Sequence, residues 1–326
     1  MAKKAFFSLL CAPEFKIGWK LNAKWPQGWP QTEKRTHDGE QKRKRKMKKL
    51  MFTAAVAAGF VALGELSSVN TVGYINNANS VSGYFQRGSA FTAVGTTTDS
   101  ASIQSITPQT PTGAVDALAD GGAVIQEIDD YGTPTTQYFY LIQGSPDASN
   151  GAGWYTFNES TFTYSYADKT FVRGEGFLYV APYFEDSEGD ELASSFVNAG
   201  EVKLTAKTVS NPYSGYFHRA NYRPVEMSIQ KLSPVPPANA VDELADGGAV
   251  IQEIDDFGTP TTQYFYLVDG SPDASNGAGW YTFNESTFTY TYATKVFAPG
   301  EGFLYVAPYF EDSEGDELGS ALTFAD

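Results

Sequence analysis

Cysteine is nearly missing from this chain of 326 residues; the only one is Cys11. If the leading segment is removed, disulfides, thiolate nucleophiles and Cys-ligated metals are all excluded from the remainder. Histidine is almost as scarce, with His37 and His218 alone. Basic residues thin out after the first 49 positions: residues 50–326 hold 9 Lys and Arg against 34 Asp and Glu, whereas the whole chain has a net charge of −15. So acidic a surface argues against nucleic acid and anionic lipid as partners, since both need clustered cations. It suits solubility, divalent cations or basic surfaces. No G-x-S-x-G, P-loop, dinucleotide fingerprint or zinc motif occurs. The expectation is a protein that is not an enzyme. A paired-carboxylate glycoside hydrolase is the one catalytic class the abundant acids leave open.

What the chain does have is itself, twice. Ala114–Phe196 returns at Ala240–Leu322, with about a dozen of its eighty-odd positions changed. Upstream, Ser82-Gly83-Tyr84-Phe85 matches Ser214-Gly215-Tyr216-Phe217, and Ser102-Ile103-Gln104 matches Ser228-Ile229-Gln230. Between these anchors the first copy is about six residues longer, the mark of a loop, where insertions are cheapest. Alternating runs at Val69–Tyr74 and Val202–Ala206 read as equivalent opening strands. The repeat predicts two tandem units, residues 65–200 and 201–326. His218 has Gln86 as its counterpart, so a His-based triad cannot exist in both copies.

Residues 1–64 read as something other than the fold. Met47-Lys48-Lys49 followed by the apolar Leu50–Gly64 is the pattern of a bacterial secretory signal, expected at 47–64. At about fifteen residues its apolar core is short for a membrane span. Gly39–Lys46 is rich in Lys, Arg, Glu and Gly, all encodable by purine-only codons. It therefore reads as a ribosome-binding site translated in error, with Met47 as the expected start and 1–46 as an upstream extension. The expected location is secreted, or at the cell surface of a bacterium, with no transmembrane span after cleavage.

Period-two alternation dominates the repeat. Phe162, Tyr164 and Tyr166 share one side of an expected strand, as do Phe288, Tyr290 and Tyr292. Val124–Ile128 and Thr136–Ile142 are joined by Asp129-Asp130-Tyr131-Gly132, a hairpin signal, and Phe177–Val180 is a further apolar run. Only Val115–Ala119 suggests a helix. Six to eight short strands per copy predict an all-β fold, a β-sandwich or small barrel. Differences between the copies at Asp168/Thr294, Thr170/Val296 and Val172/Ala298 fall on alternate residues, placing that face in solvent and Phe171 and Phe297 inward. Tyr131/Phe257 and Ile142/Val268 read as core or half-buried exchanges.

Two segments carry candidate sites. In the loop Gly144–Tyr155, small polar residues lead into Trp154 and Tyr155, with Asp147 and Asn150 beside them. Asp273, Asn276, Trp280 and Tyr281 repeat the set. An indole flanked by such groups can stack on a sugar ring and bond its hydroxyls, and two copies would add avidity on a polymer. The competing expectation is that both Trp residues are core. The second segment is acidic: Glu185, Asp186, Glu188 and Asp190, repeated as Glu311, Asp312, Glu314 and Asp316, offer oxygen ligands to Ca²⁺. They do not follow EF-hand order, so a solvated turn is the alternative.

The signal segment running into Asn70-Thr71-Val72-Gly73-Tyr74, then the Ser-Ile-Gln segments, Gly-Trp loops and Gly-Glu-Gly-Phe turns, resembles a group of secreted bacterial proteins. In that group a signal peptide precedes a Thr-Val-Gly-Tyr opening strand and two β repeats. The resemblance implies export and architecture, with no activity, cofactor or site residue. The sequence thus predicts an extracellular structural or assembly protein. Partners are its own copies or an extracellular glycan, and no cofactor is expected beyond Ca²⁺. The alternatives are a tandem carbohydrate-binding module, an outer-membrane barrel and a glycoside hydrolase.

Overall fold

Alternating β-branched and aromatic side chains fold into short strands wherever a Gly, Asp or Asn turn lets the chain reverse. The computed structural model describes residues 72–95 and 98–326. The extension at 1–46, the signal at 47–64 and the first residues of the opening run lie outside them. In the first repeat the strands are β1 (Val72–Asn79), β2 (Gly83–Gly88), β3 (Ser100–Ser102), β4 (Ile106–Gln109), β5 (Val124–Ile128) and β6 (Pro134–Leu141). They continue with β7 (Gly153–Asn158), β8 (Thr163–Tyr166), β9 (Thr170–Val172), β10 (Gly176–Ala181) and β11 (Ser194–Glu201). The second repeat runs β12 (Lys207–Asn211), β13 (Gly215–Ala220), β14 (Met227–Ser228), β15 (Leu232–Val235), β16 (Val250–Ile254) and β17 (Pro260–Leu267). It ends with β18 (Gly279–Asn284), β19 (Thr289–Tyr292), β20 (Val296–Phe297), β21 (Gly302–Ala307) and β22 (Ser320–Phe324).

The protein is all-β, and each repeat builds the same antiparallel set. A three-stranded sheet, β1-β11-β4 or β12-β22-β15, faces a six-stranded one, β2-β10-β5-β6-β7-β8 or β13-β21-β16-β17-β18-β19. The six-stranded sheet is open, with β2 and β8 at its two ends. The layers meet over an aromatic core. In the first repeat Ile106 and Phe196 of the small sheet pack with Ile125, Trp154, Phe177 and Tyr179 of the large one. The Tyr179 and Phe196 rings lie 4.8 Å apart. A separate cluster, with Leu232, Ile251, Trp280, Tyr305 and Phe324, fills the second repeat.

Several local expectations hold. β5 and β6 pair through the Asp129–Gly132 turn. There the Asp129 carboxylate accepts the backbone N–H groups of Tyr131 (3.0 Å) and Thr133 (2.7 Å). Phe171 and Phe297 are buried, between exposed Thr170 and Val172 in one copy and beside exposed Val296 in the other.

Others are corrected. Val115–Ala119 is not a helix. The Leu118 N–H is taken by the Thr110 hydroxyl (3.1 Å) and the Asp120 carboxylate accepts from the Ile142 N–H (2.8 Å), so long-range bonds hold the segment open. The regular helical structure among the described residues is two 3₁₀ turns, Ile103–Ser105 and Ile229–Lys231. Val202–Ala206 is not a strand, because pairing with β22 begins at Lys207. Phe162 and Phe288 sit in the turns before β8 and β19 with φ of 53° and 52°, not within the strands. Tyr131 and Phe257 are not half-buried: they are the exposed tips of their hairpins.

Candidate functional site

The Gly-rich loops are closed by their own side chains. Trp154 and Trp280 have 0% exposure. Each indole Nε1–H donates to a carbonyl of the small sheet, Ile106 (2.7 Å) or Leu232 (2.8 Å). Tyr155 and Tyr281 are equally buried. The Tyr155 hydroxyl accepts the Asn150 N–H (3.0 Å) and donates to the Gly151 carbonyl (2.7 Å), holding the loop down. Tyr281 does the same with Asn276 and Gly277. A ring without accessible surface cannot stack on a sugar, so the expectation for these four aromatics is corrected: they are core and loop anchors. Asp147, Asn150, Asp273 and Asn276 are exposed on loops whose aromatic partners are unavailable to a ligand.

The acidic loops are likewise turned inward on their backbones. Asp186 accepts the N–H groups of Glu188 (2.8 Å) and Asp190 (3.0 Å), and Asp312 those of Glu314 and Asp316 at the same distances. Among the described residues no three His, Cys, Asp or Glu side chains converge as a metal-binding group. Glu185, Glu188, Asp190, Glu311, Glu314 and Asp316 thus form no coordination shell with Asp186 or Asp312. Glu191 and Glu317, at the ends of these loops, accept the backbone N–H of Ser82 and Ser214. That bond lowers the Glu317 pKa.

The residues that do converge lie where the repeats meet. The Tyr84 N–H donates to the Asp256 carbonyl (2.9 Å), and the Tyr216 N–H to the Asp130 carbonyl (3.0 Å). Deeper in, the Gly88 N–H bonds the Gly300 carbonyl (3.0 Å) and the Ala220 N–H the Gly174 carbonyl (3.1 Å). The four bonds form two pseudo-symmetric pairs, so each repeat clasps the other's hairpin in the same way. This accounts for the duplicated Ser-Gly-Tyr-Phe. Gly83 and Gly215 have φ of 129° and 124°, and a Cβ there would stand 2.2 Å from the Asp256 oxygen or 2.4 Å from that of Asp130. Only glycine combines that conformation with that approach.

Behind the clasp sit Arg87 and Arg219, each stacked on the ring two residues earlier, Phe85 or Phe217, at 4.9 Å. Arg87 Nη2 donates to the Ala78 carbonyl and the Asn79 side chain, both at 3.1 Å. Burial pulls each guanidinium down to about 10, which leaves it charged at neutral pH. Lys169 bridges Glu127 and Glu175 in one repeat, and Lys295 bridges Glu253 and Glu301 in the other.

Two clefts of about 100 Å³ open on the seam. One is lined by Tyr84, Gln86, Glu253, Asp255, Asp256 and Glu301. The other is lined by Glu127, Asp129, Glu175, Tyr213, Tyr216 and His218. His218 is 9% exposed, and burial first, then Arg219, pulls its pKa down to about 3.

The seam also joins the repeats through one pair of cations. Asp99 forms ion pairs with Arg173 Nε and Lys207 Nζ, both at 2.8 Å, and Arg173 Nη1 donates to the Thr205 carbonyl (3.2 Å) in the connection between repeats. Arg173 is replaced by Pro299 in the second copy, so this tie exists once. Sequence reasoning missed these residues, and it missed Gln104 and Gln230. Each of those glutamines bonds three backbone groups around the buried Trp, in the first copy the Trp154 N–H (2.9 Å), the Trp154 carbonyl (3.0 Å) and the Ala167 carbonyl (2.8 Å). Their signal was present in the duplicated Ser-Ile-Gln, whose meaning depends on partners about fifty residues away.

Compared with protein families, with curated proteins and with solved structures, the chain finds no match in any of the three.

Proposed function

We propose that this is an exported, non-catalytic protein of the bacterial cell surface or extracellular matrix, with a structural or assembly role. One observation carries the reading. β1 is the outer strand of its sheet, hydrogen-bonded on one side to β11, and it runs for 8 residues where its counterpart β12 has 5. Tyr74 on it is 73% exposed. A long edge strand presents unpaired backbone groups to another chain unless something blunts it. Strand addition to a neighbouring sheet is an established mode of subunit joining.

The cations support a role without polyanion partners. All nine Lys and Arg after residue 50 have acceptors within the fold, among them Lys203 on the Thr98 carbonyl and Arg223 on Asp326. The surface is left to its carboxylates. The test is light scattering over a concentration series. Full-length protein is expected to form higher-order species that disappear on deleting residues 65–75, with the melting transition retained. A strictly monomeric full-length chain overturns the assembly role.

A further inference from the structure

We propose that the cleft between Glu127, Asp129, Glu175, Tyr213, Tyr216 and His218 is a binding site for an alkylammonium group, carried by a small polyamine or by a lysine side chain. It goes beyond the assembly role and does not depend on it.

The two clefts differ. They are related by the pseudo-symmetry of the clasp, yet the second repeat departs from the first at two positions that line its cleft. Tyr213 stands where the first repeat has Val81, and His218 where it has Gln86. The Ser-Gly-Tyr-Phe between these positions is unchanged. One change adds a π face and the other an imidazole, both at the same opening.

The two changes give this cleft a chemistry its twin does not have. Tyr213 lies against Phe217 with ring centroids 5.4 Å apart and planes inclined by 32°. With Tyr216 it gives the cleft an aromatic wall. Glu127, Asp129 and Glu175 also line it, each already accepting bonds within the fold, and Lys169 and Arg219 supply two positive charges against their three negative ones, so the site stays anionic. Among the described residues neither ring nitrogen of His218 has a hydrogen-bond partner although the side chain is nine-tenths buried, and in the twin cleft Nε2 of Gln86 is in the same condition. A buried polar group in that condition is costly, and a ligand that bonds it recovers the loss. The ring is neutral at physiological pH, so one nitrogen offers a lone pair. Aromatic faces, carboxylates and a neutral acceptor together match an ammonium head, which donates N–H bonds and is attracted by ring quadrupoles.

Size and geometry narrow the ligand further. At about 100 Å³ the cleft is well below the ~300–1,000 Å³ of ordinary small-molecule pockets, so it takes a head group and part of its chain and not a sugar ring. The carboxylates do not converge as metal ligands do. An anion would face three of them.

The test is calorimetric titration of the full chain with 1,5-diaminopentane and, separately, with a short lysine-containing peptide, against NaCl at matched ionic strength. Saturable one-to-one binding of either probe is expected; the diamine alone would identify a free polyamine, and the peptide alone a protein side chain. Tyr213→Val and His218→Gln, each installing the residue the first repeat uses, are expected to weaken binding about tenfold while keeping the wild-type melting profile. The converse double variant Val81→Tyr, Gln86→His is expected to add a second site. Heats indistinguishable from NaCl for both probes, or unchanged affinity in both single variants, would overturn the proposal.

Discussion

Gly88 and Ala220 meet across the repeat seam so closely that a Cβ on Gly88 would stand 2.2 Å from the Cβ of Ala220. The approach lets β2 and β13 pass at backbone distance and sets the Gly88–Gly300 bond. Replacing Gly88 by Ala forces the halves apart. Its expected cost is about 1–3 kcal/mol, the range for overpacking, read from urea unfolding. A Gly88→Ala protein as stable as wild type would mean that the seam contributes nothing to stability.

Gln104 bonds three backbone groups beside Trp154, of which the Trp154 carbonyl also accepts the Ala167 N–H (2.9 Å). Gln104→Ala takes their bonds from the Trp154 N–H and the Ala167 carbonyl, each costing roughly 1 kcal/mol or more at a buried site, while the Trp154 carbonyl keeps the Ala167 N–H. A loss of about 2 kcal/mol is expected in chemical denaturation, with the same result for Gln230→Ala.

His218 sets a pH dependence whose sign follows from its burial. Its folded pKa, about 3, lies below the ordinary 6.5. The unfolded chain therefore takes the proton first, and stability falls as pH drops from about 6.5 toward 3. Arg219, Glu127, Asp129, Glu175, Tyr213 and Tyr216 surround the same cleft. Carboxylates dominate below about pH 5, so the clean window is pH 7 to 5. Wild type is expected to lose up to about 2 kcal/mol across it, and His218→Gln much less, by denaturation at the two pH values. Equal losses would show that His218 titrates in the fold as it does in the unfolded chain.

Phe162 and Phe288 hold a left-handed backbone that costs a non-glycine residue roughly 1–2 kcal/mol. Each keeps a ring contact with Phe157 or Phe283, at 6.2 and 6.3 Å, of the kind contributing about 0.5–1.5 kcal/mol. The two effects offset, so Phe162→Gly is expected to change stability by less than about 1 kcal/mol although it removes a large side chain. A larger loss in a thermal or urea melt would show that the ring is needed for the hairpin itself.

What was legible in the sequence was whatever depends on near neighbours. Alternation around Phe171 and Phe297 revealed which side faces inward, and Asp129–Gly132 announced its hairpin through a side chain bonding residues two and four positions on. The burial of Trp154 was one of two readings and could not be resolved, because its carbonyl partner at Ile106 is 48 residues distant. The helix expected at Val115–Ala119 failed for the same reason: Thr110 and Ile142 override a weak local preference. The clasp was hidden most deeply. Tyr84 and Asp256 are far apart in the chain, and a recent duplication conserves idle residues as faithfully as working ones. Only the departures, Val81 to Tyr213 and Gln86 to His218, singled out one opening from its twin.

The reciprocal clasp has an evolutionary consequence. In a dimer of identical chains every substitution is made on both sides of the dyad, so a novelty that disturbs the contact disturbs it twice. Here the dyad is enclosed within one polypeptide. One half can keep the ancestral contact while the other experiments, and an asymmetric binding opening can arise without loss of the partnership that supports it.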